Sequence, residues 1–438
     1  MTRSPSRLTL LILLCLASFS LVSAAPDSKT SPADWPQWRG PARDGISKDA
    51  GLLAQWPQAG PPLAWKAAGL GKGFSSLAVT GGKIFTLGDR EGGQHVIALS
   101  GTDGKVLWTA KVGPVWEDQF AGPRGTPTVD GDRVYAIGTE GDLVALEAAT
   151  GKEVWRKHME RDLGGRVMSI WKWSESPLVD GDRLIVTPGL PDSLMVALDK
   201  KTGKEIWRTK TAQSLGSKGK DGAGYSSVVI SSGGGVKQYV QLTGRGLIGV
   251  RASDGKLLWS YNGVANDVAN ISTPVVRGDY VFSSTGYQTG SALLKLAKAG
   301  DGVTAQEVYF LPAKSFQNHH GGFVLIGDHI YGGHGHNKGF PVCVELSTGK
   351  VVWGGDGSDI PAPGTGSAAV TAADGHLYFR YQNGKMALIE ATPQGYKQKG
   401  LFDIPDVSGP SWSHPVVVGG KLYLREQDNL YVYDVKKG

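Results

Sequence analysis

Cysteine is almost missing from this chain, with two in 438 residues. Two thiols exclude a disulfide-stapled scaffold and any multi-cysteine zinc or iron–sulfur centre. Charge is also sparse. Asp, Glu, Lys and Arg make up 20 % of the chain and leave a formal net charge of +6. The cations are scattered and form no basic stripe, so nucleic acid is not an expected partner. Long apolar runs are absent after the first residues, and nothing approaches the roughly 20 residues that a membrane span needs. No phosphate-binding glycine loop, dinucleotide fingerprint, haem-attachment motif or Ser-His-Asp set stands out.

Glycine is abundant instead, at 64 residues, together with 13 Trp and 14 Tyr. Without a triplet period, that composition points to many short strands joined by glycine turns. Residues 1–24 read as a secretory signal. Arg3 and Arg7 form its positive end, Leu8–Leu16 its apolar run, and Val22-Ser23-Ala24 its cleavage site. Removing those two arginines from the formal +6 leaves +4. Leu14 precedes Cys15 where a lipoprotein signal needs a small residue, so no lipid anchor is expected. The chain should be exported, to the periplasm or beyond. Cys343 lies in an alternating strand pattern and reads as a buried small hydrophobe.

One unit recurs along the chain. Each copy ends in a block such as Thr150-Gly-Lys-Glu-Val-Trp155, Thr202-Gly-Lys-Glu-Ile-Trp207 or Thr348-Gly-Lys-Val-Val-Trp353. A first strand, often opening on Pro, precedes a Gly-Asp or Gly-Gly turn, as in Thr126-Pro-Thr-Val129 before Gly131-Asp132. The tryptophan positions are Trp65, Trp108, Trp155, Trp207, Trp259 and Trp353, with worn slots expected at Tyr309 and near Phe402. Four short strands every 40–50 residues is the period of a β-propeller blade. Pro61–Lys66 looks like an orphan fourth strand, and Ser413–Lys436 like a blade lacking one. The spacing therefore predicts an all-β, eight-bladed propeller over 61–438, with the ring closed by an N-terminal strand. Residues 25–60 are irregular, and Trp35, Trp38 and Trp56 should pack them against the propeller side.

The Ala-x-Asp-x-x-Thr-Gly-Lys-x-x-Trp pattern resembles the PQQ-like repeat of quinoprotein dehydrogenases and of the outer-membrane assembly lipoprotein BamB. Asp34–Pro41, Arg43–Gly45 and the His319–His336 stretch further resemble exported PQQ-like propellers of planctomycete-type bacteria. In such repeats the resemblance implies that the six tryptophans dock between blades. Quinoprotein dehydrogenases, by the same resemblance, hold PQQ over a Trp floor beside Ca²⁺ bound by Glu and Asn, with an Asp base. Glu175, Asn270 and Asp267 would be the matching oxygen ligands, and Trp171 or Trp173 the floor. The adjacent cysteine pair common in those enzymes has no counterpart.

Aligning the first strands brings unlike residues to the funnel rim: Phe74, Arg124, Glu175, Tyr225, Asn270 with Ser272, His319 with His320, Thr365 and Trp412. Blade-to-blade variation where the repeat needs only small residues marks a candidate ligand site. His334 and His336 are a candidate metal pair, since imidazole suits Zn, Cu and Ni. The sequence reading is thus an exported, monomeric propeller that binds a small ligand or an envelope protein, without a catalytic residue assigned. A PQQ- and Ca²⁺-dependent oxidoreductase of alcohols or sugars and a BamB-like assembly scaffold are the alternatives.

Overall fold

The computed structural model describes residues 1–2 and 34–438, so the expected leader lies outside the described residues. Strand patterning accounts for the architecture. Alternating apolar positions bury both faces of the middle strands, and glycine turns return the chain antiparallel each time. The result is eight four-stranded sheets, each a meander. Blades 1 to 7 run in chain order from Ala78–Gly113 to Ala368–Asp403. Among the described residues, no helix is long and apolar enough to cross a membrane.

Blade 8 takes three strands from Val416–Asp434 and its outermost strand, Leu63–Ala67, from the other end of the chain. Trp65 pairs with Val432 and Ala67 with Leu430. The ring is closed as the sequence predicts.

Neighbouring blades are joined by a repeated lock. In each Thr/Asp-Gly-Lys block the glycine has a positive φ near 70°, and an added Cβ would strike the docking aromatic ring of the preceding blade, a tryptophan in four of the five. Gly104 meets Trp65 at 2.6 Å, Gly151 Trp108 at 2.5 Å, Gly203 Trp155 at 2.8 Å and Gly255 Trp207 at 2.5 Å. Both constraints demand glycine. The indole N–H then caps a carbonyl in the next blade, as from Trp108 to Ala148 and from Trp155 to Lys200. Trp259 instead donates to Gln238 in its own blade. Tyr309 takes the slot in blade 5 and lies on Gly349. In blade 7 the strand register puts Gly400 in the tryptophan position. Phe402, two residues on, docks on Gly60, while Trp56 covers Gly400. Trp56 thus fills from outside the repeat the space that blade 7 leaves.

Residues 34–53 do not run along the outer side. They cross the central channel and touch every blade. Trp35 exchanges backbone hydrogen bonds with Val79, and Pro36 accepts from Val129. Arg43 donates to the carbonyls of Ser176, Pro177 and Val228. Trp38 reaches Thr273, Arg39 the Phe323 carbonyl, Gly45 and Ser47 pair with Ala372, and Asp49 accepts from Gly420. The physical reason is the inner edge. Eight first strands present unpaired backbone groups to the channel, and a segment threaded among them satisfies these better than the already covered flank. Gly51, Leu52, Leu53 and Trp56 reach the outer seam, at Lys437, Lys436, Val435 and Lys399.

Candidate functional site

The site grows from one ring of positions. Five residues before the start of the blade's first turn stands a Ser or Thr in five of the eight blades. Four of these form a chain of three hydrogen bonds between blades: Thr126 N–H to Ser176 Oγ, Ser176 N–H to Ser227 Oγ, and Ser227 N–H to Thr273 Oγ1. Extended backbone points alternate side chains the same way. Residues two positions earlier therefore face the channel mouth together. These are Phe74, Arg124, Ser174, Tyr225, Ile271, His320 and Trp412, and all seven line one cavity of about 360 Å³. Trp38 and Arg39 of the threaded segment line it too.

Aromatic faces dominate its walls. Trp412 lies 4.8 Å from Phe74, 4.9 Å from Phe120 and 4.6 Å from His320, ring centre to ring centre. Its indole N–H donates to Gln382 Oε1. Arg124 donates to the carbonyls of Phe120 and Gly122 and lies over the rings of Trp116 and Phe74 at 4.8 and 5.6 Å. Burial pushes its guanidinium down to about 10. The Tyr225 hydroxyl contacts Ser169 Oγ and accepts from the Trp171 N–H.

The histidines form a neutral cluster. His319 sits 4.1 Å from both His320 and His336, and its Nε2 meets the Tyr287 hydroxyl at 3.0 Å. Its Nδ1 faces Asn337 Oδ1 and Ser367 Oγ. Burial, then the neighbouring His336, pushes His319 down to about 3, and burial does the same to His414. His320 is held far below its ordinary value. His320 Nε2, His336 Nδ1, His414 Nδ1 and two nitrogens of Arg39 have no hydrogen-bond partner.

Other expected residues lie elsewhere. Glu175 and Asn270 fall on the alternate positions and turn into the blades. Glu175 accepts from the Thr187 N–H and hydroxyl and from Gln241, and burial raises it to about 7. Asn270 donates to the Thr243 and Gly244 carbonyls and accepts from the Asn266 N–H. Ser272 borders the cavity, donating to Asn318 Oδ1, whereas Thr365 is exposed outside it. His334 and His336 are separated: His336 faces the cavity, but His334 is buried beside Phe316 and accepts from the Gln317 N–H. Among the described residues no group of three or more His, Cys, Asp or Glu is placed to hold a metal ion. Cys343 is buried, and desolvation pushes its thiol up to about 12.

The residues do not fit a calcium-assisted quinone. Glu175 and Asn270 are consumed inside their blades, Asp267 is exposed, and none of the described residues lining the cavity is an aspartate or glutamate. Trp171 lines the cavity, but Trp173 belongs to the core between blades 2 and 3. Sequence reasoning missed Trp38, Arg39, Phe120, Tyr287 and His414. His414 had a signal: it occupies the Ser/Thr-before-Pro position in blade 8. Trp38 and Arg39 lie outside the repeat, in the Asp34–Pro41 stretch whose resemblance gave them no place at the channel.

The sequence profile of the family described as outer membrane protein assembly factor BamB matches residues 46–159 and 92–354. The chain is 27 % identical over 226 residues to the quinohemoprotein alcohol dehydrogenase ADH IIB of Pseudomonas putida, covering 48 % of this chain and 30 % of that protein. It is 22 % identical over 255 residues to the outer membrane protein assembly factor BamB of Nitrosomonas eutropha, covering 57 % and 56 %. The chain thus spans about half or less of the length of these curated relatives. The crystal structure of the quinohemoprotein alcohol dehydrogenase from Comamonas testosteroni shares the fold, with a TM-score of 0.63 at 12 % identity over 93 % of this chain and 81 % of that one.

Proposed function

Because the chain belongs to the PQQ-like propeller family described as outer membrane protein assembly factor BamB, we propose that it is a binding propeller. Its channel mouth takes a small molecule with a flat apolar body. One observation carries this reading: residues from different blades and from the threaded segment enclose a single cavity walled by aromatic rings. Pockets of this size and lining suit small ligands. The cavity residues include no carboxylate base and no calcium ligand set, so no reaction step is assigned to them. The leader at 1–24 supports export, and the reading is of a monomer.

Ligand-observed magnetic resonance with a panel of bicyclic aromatic fragments tests it. Saturable one-to-one binding is expected, lost by at least tenfold in Trp412→Ala. A panel without a saturable binder would refute the reading.

A second reading rests on a different surface. The residue just before the docking ring is bulged, apolar and exposed in five blades: Leu107, Val154, Ile206, Val308 and Val352 are 48, 38, 45, 45 and 37 % exposed. Such a belt supports a protein partner of the cell envelope, in the manner of an assembly scaffold. Site-specific photocrosslinking from position 154 to an envelope complex would favour it over the cavity reading.

A further inference from the structure

Every blade carries a floor position in the channel, and three blades lack a Ser or Thr there, blade 7 having Ala369. Blade 6 has Gly322 there and blade 8 has His414, where Ser76, Thr126, Ser176, Ser227 and Thr273 are found elsewhere. Gly322 and His414 surround the same side chain. A Cβ added to Gly322 would meet Arg39 Nη1 at 2.6 Å and His414 Cε1 at 3.3 Å. The missing methyl leaves a small space between guanidinium and imidazole. Gly322, Arg39 and His414 all line the cavity.

The polar atoms around that space are unspent. Arg39 is 3 % exposed and His414 7 %. Arg39 Nη2 donates to the carbonyls of Asp44 and Phe323, but its Nε and Nη1 have no partner, and neither has His414 Nδ1. Buried polar groups are rarely left so, and a buried cation is costly without an opposing charge. Asp44 offsets the Arg39 charge only in part and makes no ion pair with it, and no aspartate or glutamate among the described residues lines the cavity itself. With Nη2 spent on carbonyls, Arg39 Nη1 is left to donate to one oxygen of an anion, and His414 Nδ1 adds a second donor in the tautomer protonated there. The aromatic walls above suit a ring attached to that anion.

We propose that Arg39 and His414, across Gly322, form the seat for the carboxylate of the ligand, which makes the cavity selective for aromatic acids. This rests on the cavity reading above and names its ligand class. It also gives the threaded segment a role in recognition, because Arg39 comes from outside every blade.

Calorimetric titration with 2-naphthoate and with 2-naphthalenemethanol, which has the same rings and no charge, tests the seat. The wild-type protein is expected to bind the acid at least tenfold more tightly than the alcohol. Arg39→Gln should bring the two affinities within about threefold by weakening the acid alone, the loss of one charge-assisted bond. His414→Gln should narrow the gap by a smaller factor, and Arg124→Gln should leave it open. Equal affinities in the wild-type protein would overturn the seat while leaving the cavity reading intact. A gap that closes in Arg124→Gln, or persists in both Arg39→Gln and His414→Gln, would also overturn it. If neither probe binds, the cavity reading falls, and the seat with it.

Discussion

Glu175 shows how one position decides a residue's fate. It stands between Ser174, which lines the cavity, and Ser176 on the floor ring, and the alternation of extended backbone turns it inward. Burial raises its carboxyl from 4.5 to about 7, with Arg43 too occupied by carbonyls to offset the desolvation. The folded state therefore holds a proton that the unfolded chain releases. Stability falls as pH rises from 4.5 to about 7, by about 3 kcal/mol in all at 1.36 kcal/mol per unit. His319 and His414 act in the opposite window. Both are depressed to about 3, so their contribution is full above 6.5 and is lost as pH falls toward 3. Glu175→Gln should flatten the first slope and raise the urea midpoint at pH 8, while leaving the acid limb in place. A parallel pH series of denaturation curves for both proteins checks this. An unchanged slope between pH 4.5 and 7 would mean that Glu175 is not the titrating group.

Elements were more legible than side chains. The blade period, the hairpin turns and the docking tryptophans all express one repeated packing problem, and repetition makes it visible in sequence. Arg124, Tyr225, His319, His320 and Trp412 stood out because they break the repeat where packing does not need them. Glu175 and Asn270 broke it equally but lie out of phase with the cavity, and phase depends on a register that the alignment left loose by one residue. Trp38 and Arg39 were not legible, because their place follows from backbone groups along the inner edge and not from any pattern of their own. The lock between blades gives a test at this scale. Trp207→Ala should cost about 3–5 kcal/mol as a buried aromatic. Gly255→Ala, whose Cβ would sit 2.5 Å from that ring, should cost about 1–3 kcal/mol. Together they should cost less than the sum, by at least about 1 kcal/mol, because removing the indole relieves the clash. Strict additivity in a double-mutant cycle would show that the two do not touch.

At the scale of the whole molecule, the threaded segment and the closing strand tie the ring twice, once at its centre and once at its rim. Replacing Leu63–Ala67 by a Gly/Ser linker of equal length keeps the threaded segment attached but removes the outer partner of Asn429–Asp434. A lower unfolding midpoint is expected, together with concentration-dependent association through the bared edge, read by light scattering. An unchanged midpoint and a clean monomer would show that the ring is held without this strand. The same pairing has a consequence for how the chain is made. Leu63–Ala67 is translated before any complete blade, yet its partner is translated after all seven other blades. Seven blades can form in order as they emerge, but the eighth cannot until synthesis has passed Asp434. A polypeptide released early would carry an unsealed seam, with the first-made strand waiting and the final sheet short of its edge. The joint therefore works as a check on length, separating chains that reach Asp434 from chains that stop short of it by stability alone.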